Sequence, residues 1–328
     1  MEVSIVIPTR NRSTLLALTL RSVLCQRDVD LEVVIVDEAS TDDTPALLAS
    51  VRDSRVRVIR HDTPRGVSTA RNRGAAEAHA DWIAFLDDDD LWAPNKLALQ
   101  LQAARASGAL WAYVGHININ MHHVVTGGAP PLCPSALLEE LPRHNVVPGG
   151  CSGVVVSKKA LAIAGMFDAR LQPLADWDLW LRLSHAGIPA WVPQPLVAYR
   201  VHGQQMSLDT ARVEAEFRIL SDRNPAANPA ILYRYLGWWA LRVKNHRGAL
   251  QLFVRSWLQR RSEYSTAMLA ADVASLSRDI LEHRLRIRWP IVRGSAQLSE
   301  EHRAWRREGQ AWIDRLVAGD GIDSCGIE

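Results

Sequence analysis

Four consecutive carboxylates interrupt an apolar run in the segment Trp82-Ile83-Ala84-Phe85-Leu86-Asp87-Asp88-Asp89-Asp90-Leu91-Trp92. Adjacent aspartates repel one another, and burying even one of them is costly unless a cation lies nearby. The pattern therefore indicates a buried strand that delivers carboxylates to a cleft, where a divalent cation takes oxygen ligands. The alternative is an exposed turn whose aspartates cap the helix that follows Pro94.

Strand patterns alternate with helix patterns on the N-terminal side of this segment. Continuous apolar runs occur at residues 3–7, 31–36 and 56–59, and a helical pattern follows each of them. Runs that are apolar throughout are typical of a parallel sheet covered on both faces. The sequence therefore predicts an α/β fold of the Rossmann-like kind, with a mostly parallel central sheet and helices on both faces.

Polar side chains cluster where the predicted strands end. Pro8 and Thr9 close the first strand, Asp37-Glu38 closes the second, and the four aspartates close the fourth. Open parallel sheets bind their ligands at the carboxyl ends of the strands. We therefore predict one ligand site along this edge.

The chain is long enough for one large and one smaller domain. Its 328 residues contain strand patterns up to about residue 209 and helical patterns beyond it. We predict a catalytic domain at 1–209 and an all-helical C-terminal region at 210–328, with two antiparallel helices at 229–260. Residues 115–148 read as a long loop, and this loop is a candidate insertion on the acceptor side.

Bulk composition excludes few classes. The net charge of +2 argues neither for nor against nucleic acid, and none is predicted as a partner. No apolar run reaches the roughly 18 residues that span a bilayer, and no signal-peptide pattern precedes the first strand, so we expect a cytoplasmic protein. Cys25, Cys133, Cys151 and Cys325 are dispersed without a C-x-x-C pair, which predicts reduced thiols.

Asp176 and Asp178 open a predicted helix. Aspartate is favoured near a helix N-terminus, and two residues of spacing point the carboxylates in different directions. We assign Asp178 to capping. For Asp176 the spacing leaves two possibilities open, a cap or a catalytic base that faces the cleft.

Six motifs stand in a specific order along residues 1–207. They are Ser4 to Arg12, Val36 to Asp42, Gly66 to Gly74, Phe85 to Asp90, Asp176 to Arg182, and Tyr199 to Gly203 with Ser207. In this order the chain resembles the inverting family 2 glycosyltransferases, which have the GT-A fold and belong to the nucleotide-diphospho-sugar transferase superfamily. Two positions depart from the family pattern: Glu38 replaces a frequent aspartate, and Ala175 replaces a frequent glutamate.

The resemblance implies a role for each matching residue. The nucleotide site would be formed by Pro8, Thr9, Arg10, Asp37, Glu38, Arg71 and Asp88. Asp87 and Asp89, the outer members of a D-x-D motif, would lie at a Mn²⁺ or Mg²⁺ ion together with His202. Asp176 would be the general base. For His202 the alternative is an ordinary hydrogen-bonded loop histidine.

The resemblance implies a metal-dependent inverting glycosyltransferase. Such an enzyme moves a sugar from a nucleoside-diphosphate sugar to a hydroxyl of a saccharide, a lipid-linked saccharide or a small molecule, here in bacterial glycan, glycolipid or glycosylated-metabolite synthesis. The Q-x-x-R-W motif and membrane helices of processive synthases are absent from the sequence, which favours single transfer.

Two alternatives of other classes remain. In a nucleotidyltransferase the glycine-rich basic segment follows the first strand, whereas residues 65–74 follow the third. A catalytically silent nucleotide-sugar-binding scaffold is the other alternative, and the retained Asp87, Asp89 and Asp176 argue against it.

The C-terminal region suggests two further contacts. Arginines at 255–307 alternate with tryptophans, a pattern that fits peripheral contact with an anionic membrane at its inner face. The tryptophans are Trp257, Trp289, Trp305 and Trp312. Acidic residues such as Glu300 and Glu301 are interspersed, so a solvated helix face is the preferred interpretation. A homodimer through the apolar helices around Trp238 and Trp239 is left open.

Overall fold

The computed structural model describes residues 1–259, 266–285 and 300–319. Its contacts divide the chain into two units. Of the described residues, unit 1 contains 1–141, 146–200 and 301–319, and unit 2 contains 142–145, 201–259, 266–285 and 300.

The elements follow one another in this order. The strands are β1 (Val3–Thr9), β2 (Leu31–Asp37), β3 (Val56–Arg60), β4 (Trp82–Phe85), β5 (Leu91–Trp92), β6 (Trp111–Ile119), β7 (Val125–Ala129), β8 (Val154–Ser157) and β9 (Ala190–Arg200). The helices are α1 (Ser13–Leu24), α2 (Thr44–Ser50), α3 (Val67–Glu77), α4 (Lys96–Ser107), α5 (Pro134–Glu140), α6 (Lys158–Ala164), α7 (Ala175–Ser184), α8 (Thr210–Arg223), α9 (Pro229–Arg242), α10 (His246–Leu258), α11 (Thr266–Leu285) and α12 (Glu300–Ala318).

Unit 1 is built on one mixed sheet of nine strands in the order β3-β2-β1-β4-β8-β6-β9-β5, with β7 paired to β6. The pairings make β1, β2, β3, β4, β6 and β9 run in one direction, while β5, β7 and β8 oppose them. Every residue of β1 and β2 is buried, as expected for strands covered on both faces. The predicted α/β fold with a mostly parallel sheet is confirmed.

This direction brings the predicted polar clusters to one edge of the sheet. Thr9 pairs with Asp37 at the ends of β1 and β2, and Leu86, just after β4, donates its N–H to the carbonyl of Val6. The four aspartates therefore begin beside the end of β1. The predicted polar clusters therefore lie together along one edge of unit 1, and the ligand site there stays a prediction.

The prediction of a loop at 115–148 is wrong as far as residue 140. β6 continues to Ile119, and β7 and α5 follow it. The glycines of β7 hide its strand pattern, and Gly128 adopts a φ of 122° that few side chains tolerate. β9 likewise gave two separate strand signals because Pro193 and Pro195 cannot donate to a ladder, and the register of β6 against β9 shifts around Gly115.

The helix α12 packs into the core of unit 1. The indole nitrogens of Trp305 and Trp312 donate to the carbonyls of His116 and Pro195 at 3.1 and 2.8 Å. Both indoles are buried, so they do not form the lipid-facing surface that their spacing suggested. The sequence grouped α12 with the region 210–328, whereas the contacts assign it from residue 301 to unit 1. Among the described residues of that surface, Arg255, Arg303 and Arg307 are exposed and Trp257 and Arg306 are partly exposed, whereas Trp289 lies outside the described residues.

Replacing Trp305 with alanine is expected to destabilise unit 1 by about 3–5 kcal/mol, the usual cost of deleting a buried indole. The ring lies so close to Gly115 that a Cβ there would be 2.2 Å from it. Urea unfolding followed by circular dichroism measures the change. Trp305→Phe is the control, since it keeps a six-membered aromatic ring in the core and loses the indole nitrogen that donates to His116. An alanine variant as stable as the wild type would mean that α12 is not part of this core.

The regular elements in the described residues of unit 2 are all helices, and turns connect them. α9 and α10 pack against each other, with the ring of Trp238 5.7 Å from that of Phe253, edge to face. Arg234 on α9 binds both carboxylate oxygens of the buried Asp272 on α11 at 2.8 and 3.1 Å. The homodimer through this region stays a prediction. Across the part of the chain that the structure describes, no helix is both long and apolar enough to cross a membrane.

A buried carboxylate, Glu32, lies near the amino end of β2, opposite the ligand edge of the sheet. It accepts hydrogen bonds from the Ser4 hydroxyl at 2.6 Å and from the backbone N–H of His79 at 2.6 Å. Burial alone would raise the pKa of Glu32, but these bonds and the His79 ring lower it to about 2. The charged carboxylate is therefore a stabilising group of the fold.

We expect Glu32→Gln to cost about 2–3 kcal/mol at pH 7, because a tenfold difference in proton affinity between the folded and unfolded states corresponds to about 1.4 kcal/mol of stability. The folded-state pKa lies below the ordinary value of 4.5. The stabilisation is thus complete above about pH 4.5 and is lost as pH falls towards 2. Urea unfolding of both proteins between pH 3 and 6 should show a shallower pH dependence for the variant. Parallel curves would remove Glu32 as the cause.

The predicted reduced thiols are only partly observed. Cys133 is exposed and Cys151 is buried, and both are free. Cys25 is disulfide-bonded, so the expectation is wrong for this residue. Spacing along the sequence does not report the Cα–Cα distance that a disulfide requires. Cys325 lies outside the described residues.

Candidate active site

The aspartate loop, residues 87–90, begins with an ion pair. Asp87 Oδ1 accepts from Arg71 Nη2 at 2.5 Å, and Asp87 N donates to Ser152 Oγ at 3.1 Å. Ser152 comes from the 3-10 turn Gly150–Gly153 that precedes β8. The first aspartate is therefore fixed from α3 on one side and from this turn on the other.

Asp88 and Asp90 are held by hydroxyl groups. Asp88 Oδ2 accepts from Thr9 Oγ1 at 2.7 Å, and Asp90 Oδ2 accepts from Ser152 Oγ at 2.6 Å. Burial, followed by the nearby Asp89, raises the pKa of Asp88 to about 8 and raises that of Asp90 well above its ordinary value. The hydrogen bonds from Thr9 and Ser152 partly offset these effects on Asp88 and Asp90.

The main chain of the aspartate loop is braced from α1. Thr19 Oγ1 lies 3.1 Å from the carbonyl of Asp88 and 2.9 Å from that of Asp90. The sequence pattern of α1 gave no sign of this role, because a threonine inside a helix usually serves packing. Ser152 was also missed, because it lies 62 residues from Asp90 in sequence.

Asp37 and Glu38 lie at the end of β2, and both are buried. Asp37 Oδ1 accepts from Ser40 N at 2.9 Å, and its other oxygen pairs with Arg60. Glu38 Oε2 accepts from the backbone N–H groups of Arg65 and Gly66 at 2.7 and 2.6 Å. The longer side chain of Glu38 thus reaches the start of α3. An aspartate at this position would be one methylene shorter.

Arg71 lies at the centre of the site and is only 3% exposed. Its guanidinium carbon is 5.3 Å from the centre of the Phe167 ring. Burial acts to lower the pKa of Arg71, but interactions with Cys151, Asp87 and Asp176 raise it above the ordinary value. Its Nε has no hydrogen-bond partner in the described chain, so the guanidinium retains a donor for an anionic ligand.

Asp176 lies in the first turn of α7. A Cβ added at Gly150 would be 3.4 Å from Asp176 Oδ2, so the carboxylate faces the 3-10 turn that also carries Cys151. Burial raises the pKa of the Cys151 thiol well above its usual value, and Asp87 and Asp176 add to this. These shared interactions bring the donor-side and acceptor-side carboxylates of the sequence prediction into one cluster.

Asp178 points elsewhere. It is buried and pairs with Arg182 one turn further along α7, at 2.5 Å. The sequence assigned it to a structural role at the helix start, and the contact is structural, although it is an ion pair along the helix.

The remaining predicted residues occupy three environments. Pro8 pairs with Val36 inside the sheet, and the backbone N–H of the exposed Arg10 lies 3.4 Å from Asp88 Oδ2. His202 belongs to unit 2, where the N–H of Gln204 donates to its Nδ1 at 3.2 Å. The metal role of His202 stays a prediction.

Oxygen donors suited to a divalent cation are present in the aspartate loop, at Asp87 and Asp89. Among the described residues, no group of three or more His, Cys, Asp or Glu side chains could hold a metal ion. Mg²⁺ is commonly held by one or two carboxylates together with substrate phosphates rather than by an all-protein cage. The loop therefore fits a cation whose remaining ligands come from a bound diphosphate.

Two solved structures that bind a nucleotide or a nucleotide-sugar resemble this fold. TarS of S. aureus in complex with UDP covers 98% of this chain and 93% of its own, with a TM-score of 0.52 at 14% identity. The mannosyltransferase PcManGT of Pyrobaculum calidifontis, in complex with GDP-Man and Mn²⁺, covers 98% and 88%, with a TM-score of 0.52 at 16% identity. The fold is therefore the GT-A fold of nucleotide-sugar glycosyltransferases.

Sequence comparison points to one family. The model of glycosyl transferase family 2 matches residues 4–153. The succinoglycan biosynthesis protein ExoO of Rhizobium meliloti is 42% identical over 108 residues, which is 33% of this chain and 31% of that protein. The Escherichia coli UDP-Glc:alpha-D-GlcNAc-diphosphoundecaprenol beta-1,3-glucosyltransferase WfaP is 29% identical over 62% of this chain and 79% of its own. These matches, which for the family model cover residues 4–153, support the resemblance to family 2 glycosyltransferases that the motifs predicted.

Proposed function

We propose that this protein is a metal-dependent, inverting glycosyltransferase that carries out single transfers from a nucleoside-diphosphate sugar to an acceptor hydroxyl. The observation that carries the proposal is the buried Arg71, which pairs with Asp87 and interacts electrostatically with Asp176. Arg71 thereby links Asp87, on the side of the sugar donor, with Asp176, the proposed base, in one cluster at the ligand edge of the sheet.

The donor side binds the nucleoside diphosphate. Thr9, Asp37 and Glu38 would border the nucleobase and its ribose, with Pro8, Arg10 and Asp88 beside them. The Nε–H group of Arg71 is suited to hydrogen-bond an anionic oxygen of the nucleoside-diphosphate sugar. Asp89, with Asp87, would hold Mn²⁺ or Mg²⁺. When bound, such an ion neutralises charge on the departing diphosphate.

The acceptor side removes one proton. Asp176 takes the proton of the acceptor hydroxyl while the oxygen of that hydroxyl bonds to the anomeric carbon. The bond from that carbon to the diphosphate oxygen breaks, and the nucleoside diphosphate departs with the electron pair. Attack from the face opposite the leaving group inverts the anomeric centre, whose transition state has oxocarbenium character.

A lipid-linked saccharide is our choice of acceptor. Support comes from WfaP, whose name specifies a GlcNAc-diphosphoundecaprenol acceptor and a UDP-Glc donor. We accordingly propose that the protein acts in the bacterial cytoplasm at the inner face of the membrane, in glycan or glycolipid synthesis.

The experiment is a thermal-shift screen of UDP, GDP, ADP and TDP and their sugars, with and without Mn²⁺. A ligand that binds only the folded state raises its stability by about 2.7 kcal/mol at a concentration of 100 Kd. We expect one nucleotide to stabilise the protein in a Mn²⁺-dependent way. The matching sugar donor is then tested with a lipid-diphosphate-linked saccharide, and proton NMR of the product gives the anomeric configuration. No Mn²⁺-dependent shift with any nucleotide would contradict the proposal, and retention of configuration would contradict its inverting mechanism.

A further inference from the structure

Arg200, the last residue of β9, is a buried arginine that the proposed reaction has not used. Its side chain is 1% exposed. Its backbone N–H donates to Asp90 Oδ1 at 2.9 Å, and its Nε donates to the main-chain carbonyl of Asp89 at 2.7 Å. Its Nη1 lies 3.4 Å from the carbonyl of Asn120. One side chain thus joins the aspartate loop to the turn between β6 and β7.

Burying this charge is costly unless hydrogen bonds and opposite charge compensate it. The nearby carboxylates of Asp89 and Asp90 supply opposite charge. Two of its hydrogen bonds go to main-chain carbonyls, which carry no sequence information and are fixed in place by the backbone. A planar guanidinium can serve both carbonyls at once, whereas a lysine ammonium is a point donor without this fork geometry.

Three side chains bind different atoms of the aspartate loop. Thr19 binds the carbonyls on either side of Asp89, and Ser152 binds the flanking Asp87 and Asp90. Arg200 supplies the hydrogen bond to the carbonyl of Asp89 itself. The orientation of the peptide that carries the Asp89 carboxylate therefore depends on Arg200.

The second contact of Arg200 reaches a tight turn. Asn120 Oδ1 accepts from the backbone N–H groups of His122 and Val124 at 2.9 and 3.0 Å. This turn projects Met121 and Val124, each about half exposed at 49% and 51%. The guanidinium therefore ties the loop to a point of the β6–β7 hairpin that the Asn120 side chain braces internally.

We propose that Arg200 is a positioning residue that fixes the main chain at Asp89 and so aims its carboxylate at the cation of the bound nucleoside diphosphate. This inference rests on the proposed function, because it gives Asp89 the metal-binding role. Removing groups that orient metal ligands typically lowers metal affinity by about 10–100-fold. Arg200→Lys should show a loss of this size.

The test is a calorimetric titration of Arg200→Lys and Arg200→Gln with the nucleoside diphosphate that stabilises the wild type, with and without Mn²⁺. We expect the Mn²⁺-dependent gain in affinity to fall by about tenfold or more in both variants. Affinity without Mn²⁺ should stay within about twofold, because the nucleotide contacts proposed above do not include Arg200. A purely structural role would not separate the two titrations.

Arg55→Lys is the matched control. Arg55 also donates to a carboxylate and a carbonyl, those of Asp53 and Leu24, at the opposite edge of the sheet. It should leave both titrations unchanged.

Each other result has a definite meaning. An unchanged Mn²⁺-dependent gain, or equal losses with and without Mn²⁺, would overturn the positioning role. Loss of folding in both Arg200 variants, judged by circular dichroism, would assign Arg200 to stability and also overturn it. If the wild type itself shows no Mn²⁺-dependent binding, the proposed function fails and not the assignment of Arg200 alone.

Discussion

Replacing Asp176 with asparagine is expected to slow glycosyl transfer by about 10²–10⁴-fold, the usual contribution of a general base. Asparagine has nearly the same shape as aspartate and can still donate or accept a hydrogen bond, but it cannot take up the acceptor proton. The variant should therefore fold normally and bind the donor. Initial rates with the identified donor, at saturating concentrations of both substrates, measure the effect.

Donor affinity provides a second readout for Asp176→Asn. Asp176 is one of the groups that raise the pKa of Arg71, so the substitution removes negative charge from the surroundings of that guanidinium. Arg71 should then attract the anionic donor at least as strongly as before. Unchanged or tighter nucleotide binding, together with slow transfer, separates loss of the base from loss of the site.

Asp178→Asn is the matched control, because it makes the same substitution two residues along the same helix. It breaks the ion pair with Arg182 and lowers stability without touching the cluster around Arg71. Its transfer rate should stay within about threefold of the wild type, since the effect of a base is lost only with the base itself. If Asp176→Asn were equally active, another group would have to be the base.

The strand ends of the site were predictable from the sequence, since they depend on local patterns. An apolar run buried on both faces indicates a central strand, and Thr9, Asp37 and Asp87 each follow such a run. Parallel pairing then brings the ends together without further information. Strand patterns could not locate Arg71, which was predicted only from its motif. A pattern inside a helix does not show which residue faces a ligand.

The supports of the aspartate loop were not predictable in this way. Thr19, Ser152 and Arg200 act largely through main-chain atoms and partners that lie 62 to 111 residues away in sequence. Their side chains fit a helix interior, a turn and a strand end equally well. The strand pairings of β8 and β9 place Ser152 and Arg200 beside the loop, and the packing of α1 against β5 places Thr19 there.

The placement of α12 shows the same limit at the level of domains. Its composition is that of a charged, tryptophan-bearing helix, and composition favoured grouping it with its neighbours in sequence. The register of β6 against β9 shifts at Gly115, and the absence of a side chain there leaves the space that Trp305 fills. A packing partner of this kind is set by three-dimensional shape, which the linear pattern does not contain.

Replacing Asp89 with alanine is expected to weaken Mn²⁺-dependent binding of the nucleoside diphosphate by about 100-fold or more, beyond the loss expected for a residue that only orients a metal ligand. The contacts of the other three aspartates explain why the effect concentrates here. Asp88 accepts a hydrogen bond from Thr9, Asp90 accepts one from Ser152, and Asp87 is paired with Arg71. These contacts hold the three carboxyl groups in place, so none of them readily moves to replace the lost Asp89 carboxylate.

Calorimetric titration with and without Mn²⁺ measures this loss, and Asp53→Ala is its control. That substitution also removes an aspartate from an ion pair, the one with Arg55 at the far edge of the sheet. The order of the effects is informative: the Mn²⁺-dependent gain should fall furthest in Asp89→Ala, less in Arg200→Lys, and not at all in Asp53→Ala. A larger loss in Arg200→Lys than in Asp89→Ala would mean that the carboxylate is not the principal ligand, because a group that acts through Asp89 cannot contribute more metal affinity than Asp89 itself.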